Sequence, residues 1–427
     1  DRQQLTLDLR LDALFANNVP VTTVDVIDSL HWAWAVGMQG DDAWRWQHLE
    51  AIVRFGERSV GILLGEPDAS IPALLSSWRV PIVPTAWLAA IDRTSGIGPP
   101  PASGWFNLQS LTPDRIDYRR NGGFYQVGRP RVDGVACIAP NTLLARGTDL
   151  VTGQVDIVID LPLLDAPMLR ENPGYSLIGG PSPRLTLLHL NLRVSPLRDQ
   201  RFRSLLARTV QRDSLVEVAV AGEGRPATSL IPPDHWAGIE LPAVASDAAE
   251  IRAELARLGI LPGIELRLVA PAGDASLANA CVTLQEQFAW AGFALALDLL
   301  DEGEMSQELR AGEWDLLIET LPWWHDPHEL VWPLLTSNGP ANHGGYSSSR
   351  LDYLAALAGR ARGETERATL YHSIQELVDR ENPLVPLYFG NYYDAMTANV
   401  VDYLAYPPES ATAMAQATID LDEAGFA

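Results

Sequence analysis

The chain contains no lysine: all 31 of its basic residues are arginine, set against 54 acids for a net charge of −23. The exclusive use of arginine carries no functional reading, but the charge balance does. A surface this negative keeps a protein soluble and repels nucleic-acid phosphates. The one dense basic stretch, "RRNGGFYQVGRPR", reads as a solvated turn between strands, so no nucleic-acid partner is expected. Cysteine is nearly absent. Cys137 in the strand-like "GVACIAP" and Cys281 in the helix-like "SLANACVTLQEQFAW" lie far apart and read as small buried hydrophobes. Two thiols build neither a zinc framework nor a disulfide-dense scaffold. No run approaches the roughly 18–20 apolar residues that cross a bilayer. A G-x-S-x-G elbow, an H-E-x-x-H helix, a P-loop and a G-x-G-x-x-G fingerprint are all missing. The chain is therefore not read as an enzyme, and no cofactor is expected. It has no internal repeat and no low-complexity segment.

What is present is a folding sequence of 427 residues, 47% hydrophobic and 20% charged, which suggests two domains or three. "LTLDLRL" alternates strictly and reads as a half-buried strand. A helix follows it, with Thr22 and Asp25 in capping-box spacing. "SGIGPPPASG" marks a crossover near residues 95–104, and short strands follow at "WFNLQSL", "RIDYRRN" and "GVACIA". From residue 185 a second regime opens with the strand "RLTLLHLNLRV" and one long helix, "RDQRFRSLLARTVQRDSLVEVAV". From 264 strands and helices alternate: "IELRLVA", a helix ending at Gly292, "FALALDLL", "EMSQELRAG" and "EWDLLIET". That alternation predicts a parallel sheet covered by helices, with ligands beyond the carboxyl ends of its strands.

At one such end stands "LPWWHDPHELVW", Leu321 to Trp332, with three tryptophans, two histidines and two acids. As a metal site, His325, Asp326, His328 and Glu329 offer donors close together, with His343 shortly after. The two histidines are three apart in an expected loop with Pro327 between them, however, so convergence on an ion is unproven and no metal is assigned. As a pocket, Trp323, Trp324 and Trp332 are the rigid aromatic walls that small-molecule sites use. An acid beside them favours a cationic or hydroxyl-rich solute.

Several phrases, in order, resemble a known family. They are "LTLDLRLDALFANNVPVTTVDVIDSL", "GFYQVGRPRVDGV", "DLVTGQVDIVI", "LNLRVSPLRDQRFRSLLARTVQRDSLV", "IPP" at 231–233, "GGYSSSRLDYLAALA" and "NPLVPLY". Together they resemble the large extracytoplasmic solute-binding proteins of peptide-type ABC importers, family 5. Asn18 stands where that family usually has Gly, and Val24 where Ala is usual. The family carries a further N-terminal stretch ahead of the "LTLDLR" strand, and the sequence here begins at that strand. Many of its peptide binders also have the phrase W-x-x-D-x-x-D-P, whose first acid clamps the peptide amino group. Here "PWWHDP" matches only the second acid, at Asp326, so the resemblance leaves peptide specificity open.

The resemblance implies an α/β, two-lobed, type II periplasmic-binding fold that closes like a Venus flytrap. Residues 1–95 would form an outer part of lobe I, 96–188 with 394–427 its core, and 189–393 lobe II. The hinge is expected at "LLHLNL" (187–192) and "PLYFGNYY" (386–393). The solute, peptide-like or another small organic molecule, would meet Trp323, Trp324, His325, Asp326 and Trp332. Asn342 and Tyr346 would flank it and Asn191 would lie near the hinge. The implied partner is an ABC permease in the membrane, with the chain monomeric and periplasmic or at the cell surface if a signal peptide precedes it. A ligand-sensing domain of a transcription regulator and a metal-chelate binder are the alternatives.

Overall fold

The computed structural model describes residues 3–91, 98–140, 142, 145–244, 246–405 and 414–419. Part of the expected crossover at 95–104 lies outside them. Two compact units emerge: Asp1–Pro140 with Gly359–Arg362 and Ala398–Ala427, and Asn141–Ala358 with Gly363–Thr397.

The first unit begins with β1 (Gln3–Asp8), α1 (Thr23–Gly37), β2 (Leu49–Arg54), β3 (Ser59–Leu64), α2 (Ile71–Ser76) and α3 (Thr85–Ala90). Strand β3 sits between β1 and β2, antiparallel to both. Val26, Leu30, Ile52, Val60, Ile62 and Leu74 form the core beneath them. Helix α1 starts where the Thr22/Asp25 spacing places it, with both halves of the capping box made. A separate antiparallel sheet contains β4 (Phe106–Leu111), β5 (Arg115–Arg120) and β6 (Gly134–Ile138). The basic stretch supplies most of the turn between β5 and β6.

The second unit runs through α4 (Ala145–Val151), β7 (Ile157–Val158), α5 (Ala166–Arg170) and β8 (Tyr175–Leu190). It continues with α6 (Gln200–Thr209), α7 (Arg212–Val220), β9 (Gly224–Pro226), α8 (Ala248–Arg257), β10 (Ile264–Pro271) and α9 (Ala275–Ala291). Then come β11 (Phe293–Leu300), α10 (Glu302–Ala311), β12 (Leu316–Thr320), α11 (Pro327–Leu335), α12 (Ser349–Arg360), α13 (Glu364–Glu381) and β13 (Leu384–Thr397). The short pair β14 (Val400–Val401) and β15 (Thr418–Ile419) belongs to the first unit.

Seven strands form one sheet in the order β11-β10-β12-β8-β13-β7, with β9 also on β13. The expected parallel sheet is in fact mixed. Strand β10 is parallel to β11 and β12, but β12 meets β8, and β8 meets β13, antiparallel. Residues along β8 alternate between two cores, as a strand buried on both faces must. Leu188 and Leu190 pack with helices α6 to α9, and Leu185 and Leu187 with α11 to α13. The two expected hinge segments are neighbours in this sheet, with Leu187 opposite Pro386 and His189 opposite Leu384. The expected lobe boundaries at 188/189 and 393/394 fall inside these two strands.

The single long helix expected over 198–220 is broken into α6 and α7, with Val210 and Gln211 extended. Gln287 of α9 explains the break. Its amide accepts from Gln211 N at 2.9 Å and donates to Gln211 O at 3.1 Å, which satisfies the backbone groups that the interruption frees.

Candidate functional site

The stretch after β12 is a short irregular segment, 321–326, followed by a helix. Asp326 is the N-cap of α11, with Oδ1 accepting from His328 N at 2.8 Å. Glu329 reaches back to His325 N at 2.8 Å and Asp326 N at 3.4 Å, and Pro327 occupies the first helical turn. His328 and Trp332 therefore stand on a helix and not in the expected loop. Asp-Pro-x-Glu is itself a helix-start signal, so this part was readable from the sequence.

The carboxylate of Asp326 faces inward. Arg367 of α13 donates Nη2 to Oδ1 at 2.6 Å and Nη1 to Oδ2 at 2.9 Å, with both side chains about nine-tenths buried. Trp324 is buried in the α11–α13 core, edge-on to His235 at 5.1 Å. Tyr346 is buried and donates to Glu381 at 2.6 Å. Asn342 ties its own loop together through Thr336 O, Tyr346 O and Tyr346 N. Asn191 is fully buried and donates to Gly312 O and Trp314 O. Trp332 is half-buried against His328, at 5.2 Å between ring centroids. Of the eight sequence candidates, His325 is the exposed one, while Trp323 is half-exposed and edge-on to Tyr392 at 5.6 Å.

A cavity of about 170 Å³ opens beside this segment, and Thr320, the last residue of β12, is in its wall. Thr186 and Thr320 share a hydroxyl hydrogen bond of 2.8 Å across β8 and β12, and Tyr388 of β13 lies next to them in the wall. Arg184 donates to Asp160 at 2.6 Å; Arg146 and Asp165 also line the cavity. Burial pushes the Asp165 carboxyl above its ordinary value, opposed by Arg146. Asp274, the N-cap of α9, and Ser276 complete the wall just beyond the carboxyl end of β10. None of the eight sequence candidates lines this cavity, but Trp323 connects to it. Trp323 packs on Tyr392, Tyr392 is hydrogen-bonded to Asp394, Asp394 accepts from Asp160 N at 3.0 Å, and Asp160 holds Arg184. Sequence reading missed Arg146, Asp160 and Arg184. The one local signal was Arg184, a charge placed just ahead of the apolar run of β8. Among the described residues, no group of three or more His, Cys, Asp or Glu converges to hold a metal ion.

The model of the bacterial extracellular solute-binding proteins, family 5, matches residues 1–342. The chain belongs to that family. Its curated relatives include glutathione-binding proteins, among them that of Shigella dysenteriae, 24% identical over 362 residues covering 82% of this chain and 70% of the relative. Solved structures share the fold. AgaA of A. tumefaciens R10 in complex with agropinic acid superposes with TM-score 0.83 at 22% identity, over 98% of this chain and 89% of that one. AppA of Bacillus subtilis in complex with a nonapeptide gives 0.83 at 16%, over 98% and 87%. NikA of Staphylococcus aureus in complex with Ni(L-His)2 gives 0.82 at 18%, over 98% and 88%. These neighbours are two-lobed binding proteins, and the chain has their α/β fold. The relatives are binding proteins rather than enzymes, and the family is extracytoplasmic. No helix among the described residues is long and apolar enough to cross a membrane.

On the face of β12 opposite Thr320, this family 5 protein sets a buried histidine against a half-buried carboxylate. His189 Nε2 lies 2.5 Å from Glu319 Oε1, and the His343 ring stands edge-on to His189 at 5.5 Å. Burial, with His189 and Arg193 adding to it, depresses the His343 pKa below its ordinary 6.5. For Glu319, burial opposes ionisation, but the hydrogen bond and charge of His189 outweigh it and hold the carboxyl below its ordinary 4.5. Both shifts have the same sign for stability. The unfolded chain takes up each proton first, so stability is lost as pH falls below about 6.5 for His343 and about 4.5 for Glu319. The melting temperature is expected to fall between pH 7.5 and 5.5, and His343→Asn should flatten that decline. An unchanged slope in the variant would remove His343 from the account.

Proposed function

We propose that the chain is the solute-capturing component of an ABC importer, and that it binds a small zwitterionic organic molecule carrying a carboxylate. The observation that carries this reading is the Arg184–Asp160 pair on the wall of the cavity at the end of β12, with Arg146 and Asp165 nearby. Guanidinium groups match a carboxylate, and the acids match an ammonium. Trp323 supplies an aromatic edge linked to the cavity through Tyr392, and Trp324 and Asp326 anchor the chain beside it in the α11–α13 core. Trp323 stands three residues before Asp326, at the place of the first acid in the W-x-x-D-x-x-D-P phrase. That favours a compact solute such as an opine or a modified amino acid over an extended peptide with a clamped amino end. Hinge bending at the paired strands β8 and β13 commits the solute, and the loaded protein, a monomer exported behind a signal peptide, delivers it to a membrane permease.

The test is a melting-temperature screen of the purified chain with glutathione, di- and tripeptides, opines and a nickel–histidine chelate. A saturable rise is expected with the amino-acid conjugates, opines foremost, and none with the chelate. A response confined to the chelate, or to longer peptides, would overturn the solute class.

A further inference from the structure

A second cavity, of about 230 Å³, lies elsewhere in the second unit, lined by residues of α6, α7, α13 and the start of β13. Its charge runs against that of the chain. In a protein with 54 acids and 31 arginines, this cavity draws three arginines, Arg208, Arg212 and Arg380, and one acid, Asp379. Arg208 is already engaged by Ser246, Glu254 and Glu250. Arg212 is not paired in this way. Its Nε donates to two neutral acceptors, Ala227 O at 2.7 Å and Pro386 O at 2.9 Å. Among the described residues its Nη1 and Nη2 have no partner and the guanidinium makes no ion pair. Arg212 is half-buried, and that burial pulls its pKa below the ordinary value, with Asp379 opposing. The rest of the wall includes Leu230, Val378, Leu384 and Pro386.

We infer that this cavity is a second ligand site, separate from the solute site, that takes a small monocarboxylate with a short apolar body. A carboxylate fits the fork formed by Nη1 and Nη2, and the aliphatic wall covers the tail. Asp379 disfavours a dianion.

Sodium butyrate tests this on the full chain, by calorimetry and thermal shift, against butylammonium chloride and sodium chloride at equal ionic strength. A saturable stabilisation by butyrate alone is expected. Arg212→Lys should weaken it at least about tenfold, because the fork is lost. Arg212 also holds two carbonyls, so that variant could fail to fold; Ser204→Asp, which places a carboxylate in the same wall, then decides. It should stay folded and lose the butyrate response while keeping the response to the transported solute. A butyrate effect no larger than that of chloride, or a Ser204→Asp protein that binds butyrate as tightly as the parent, would overturn the assignment.

Discussion

Asp326→Ala is expected to destabilise the second unit by about 3–5 kcal/mol, because it strands the buried Arg367 guanidinium without its anion. Both carboxylate oxygens are used: Oδ1 by Arg367 and His328 N, Oδ2 by Arg367. The loss of the α11 N-cap is part of the same change and accounts for about 1 kcal/mol. Arg367 spans three parts of the unit, since its Nε also donates to Ala358 O and its Nη2 to Tyr371 Oη. Arg367→Ala should therefore cost a comparable amount, and the double variant clearly less than the sum of the two. Chemical unfolding monitored by the tryptophans would measure all three. Solute affinity, determined where the variant is still folded, should change little. A variant of parental stability that has lost its solute would return Asp326 to the binding surface.

Arg184→Ala is expected to lower solute affinity by about 30–100-fold, the worth of a charge-assisted hydrogen bond to a ligand carboxylate. Its effect on stability should stay within about 1 kcal/mol, because the Arg184–Asp160 pair is partly solvated, with side chains 27% and 36% exposed. Asp160→Asn separates the two halves of a zwitterion. Asp160 sits at φ 52°, a left-handed conformation that Asn tolerates, so the backbone is preserved. That variant should lose preference for solutes with a free ammonium while still binding the carboxylate end. Calorimetry with a matched pair, an amino acid conjugate and its N-acetyl form, reads both effects. Parental affinity in Arg184→Ala would exclude the cavity from the solute site.

The sequence resolved what short-range chemistry controls. The Thr22/Asp25 box starts α1, Gly292 in a left-handed conformation ends α9, and alternating apolar runs mark the strands around them. The ordered phrases pointed to family 5 because they record many such local choices in one succession. Even the start of α11 is written in the sequence as Asp-Pro-x-Glu.

What the sequence left undecided is pairing at a distance. The Asp326 carboxylate is equally suited to a solute amine and to Arg367; only the packing of α13 against α11, across 41 residues, makes the choice. The break between α6 and α7 depends on an amide 76 residues away. The cavity draws Arg146, Asp160, Arg184, Thr320 and Asn391 from separate elements, and only strand order and register bring them together. Helix caps and strand alternation act over three or four residues and are visible in one dimension. A charge pair or a cavity wall is fixed by which elements become neighbours, and that is decided by how the whole sheet buries its two faces.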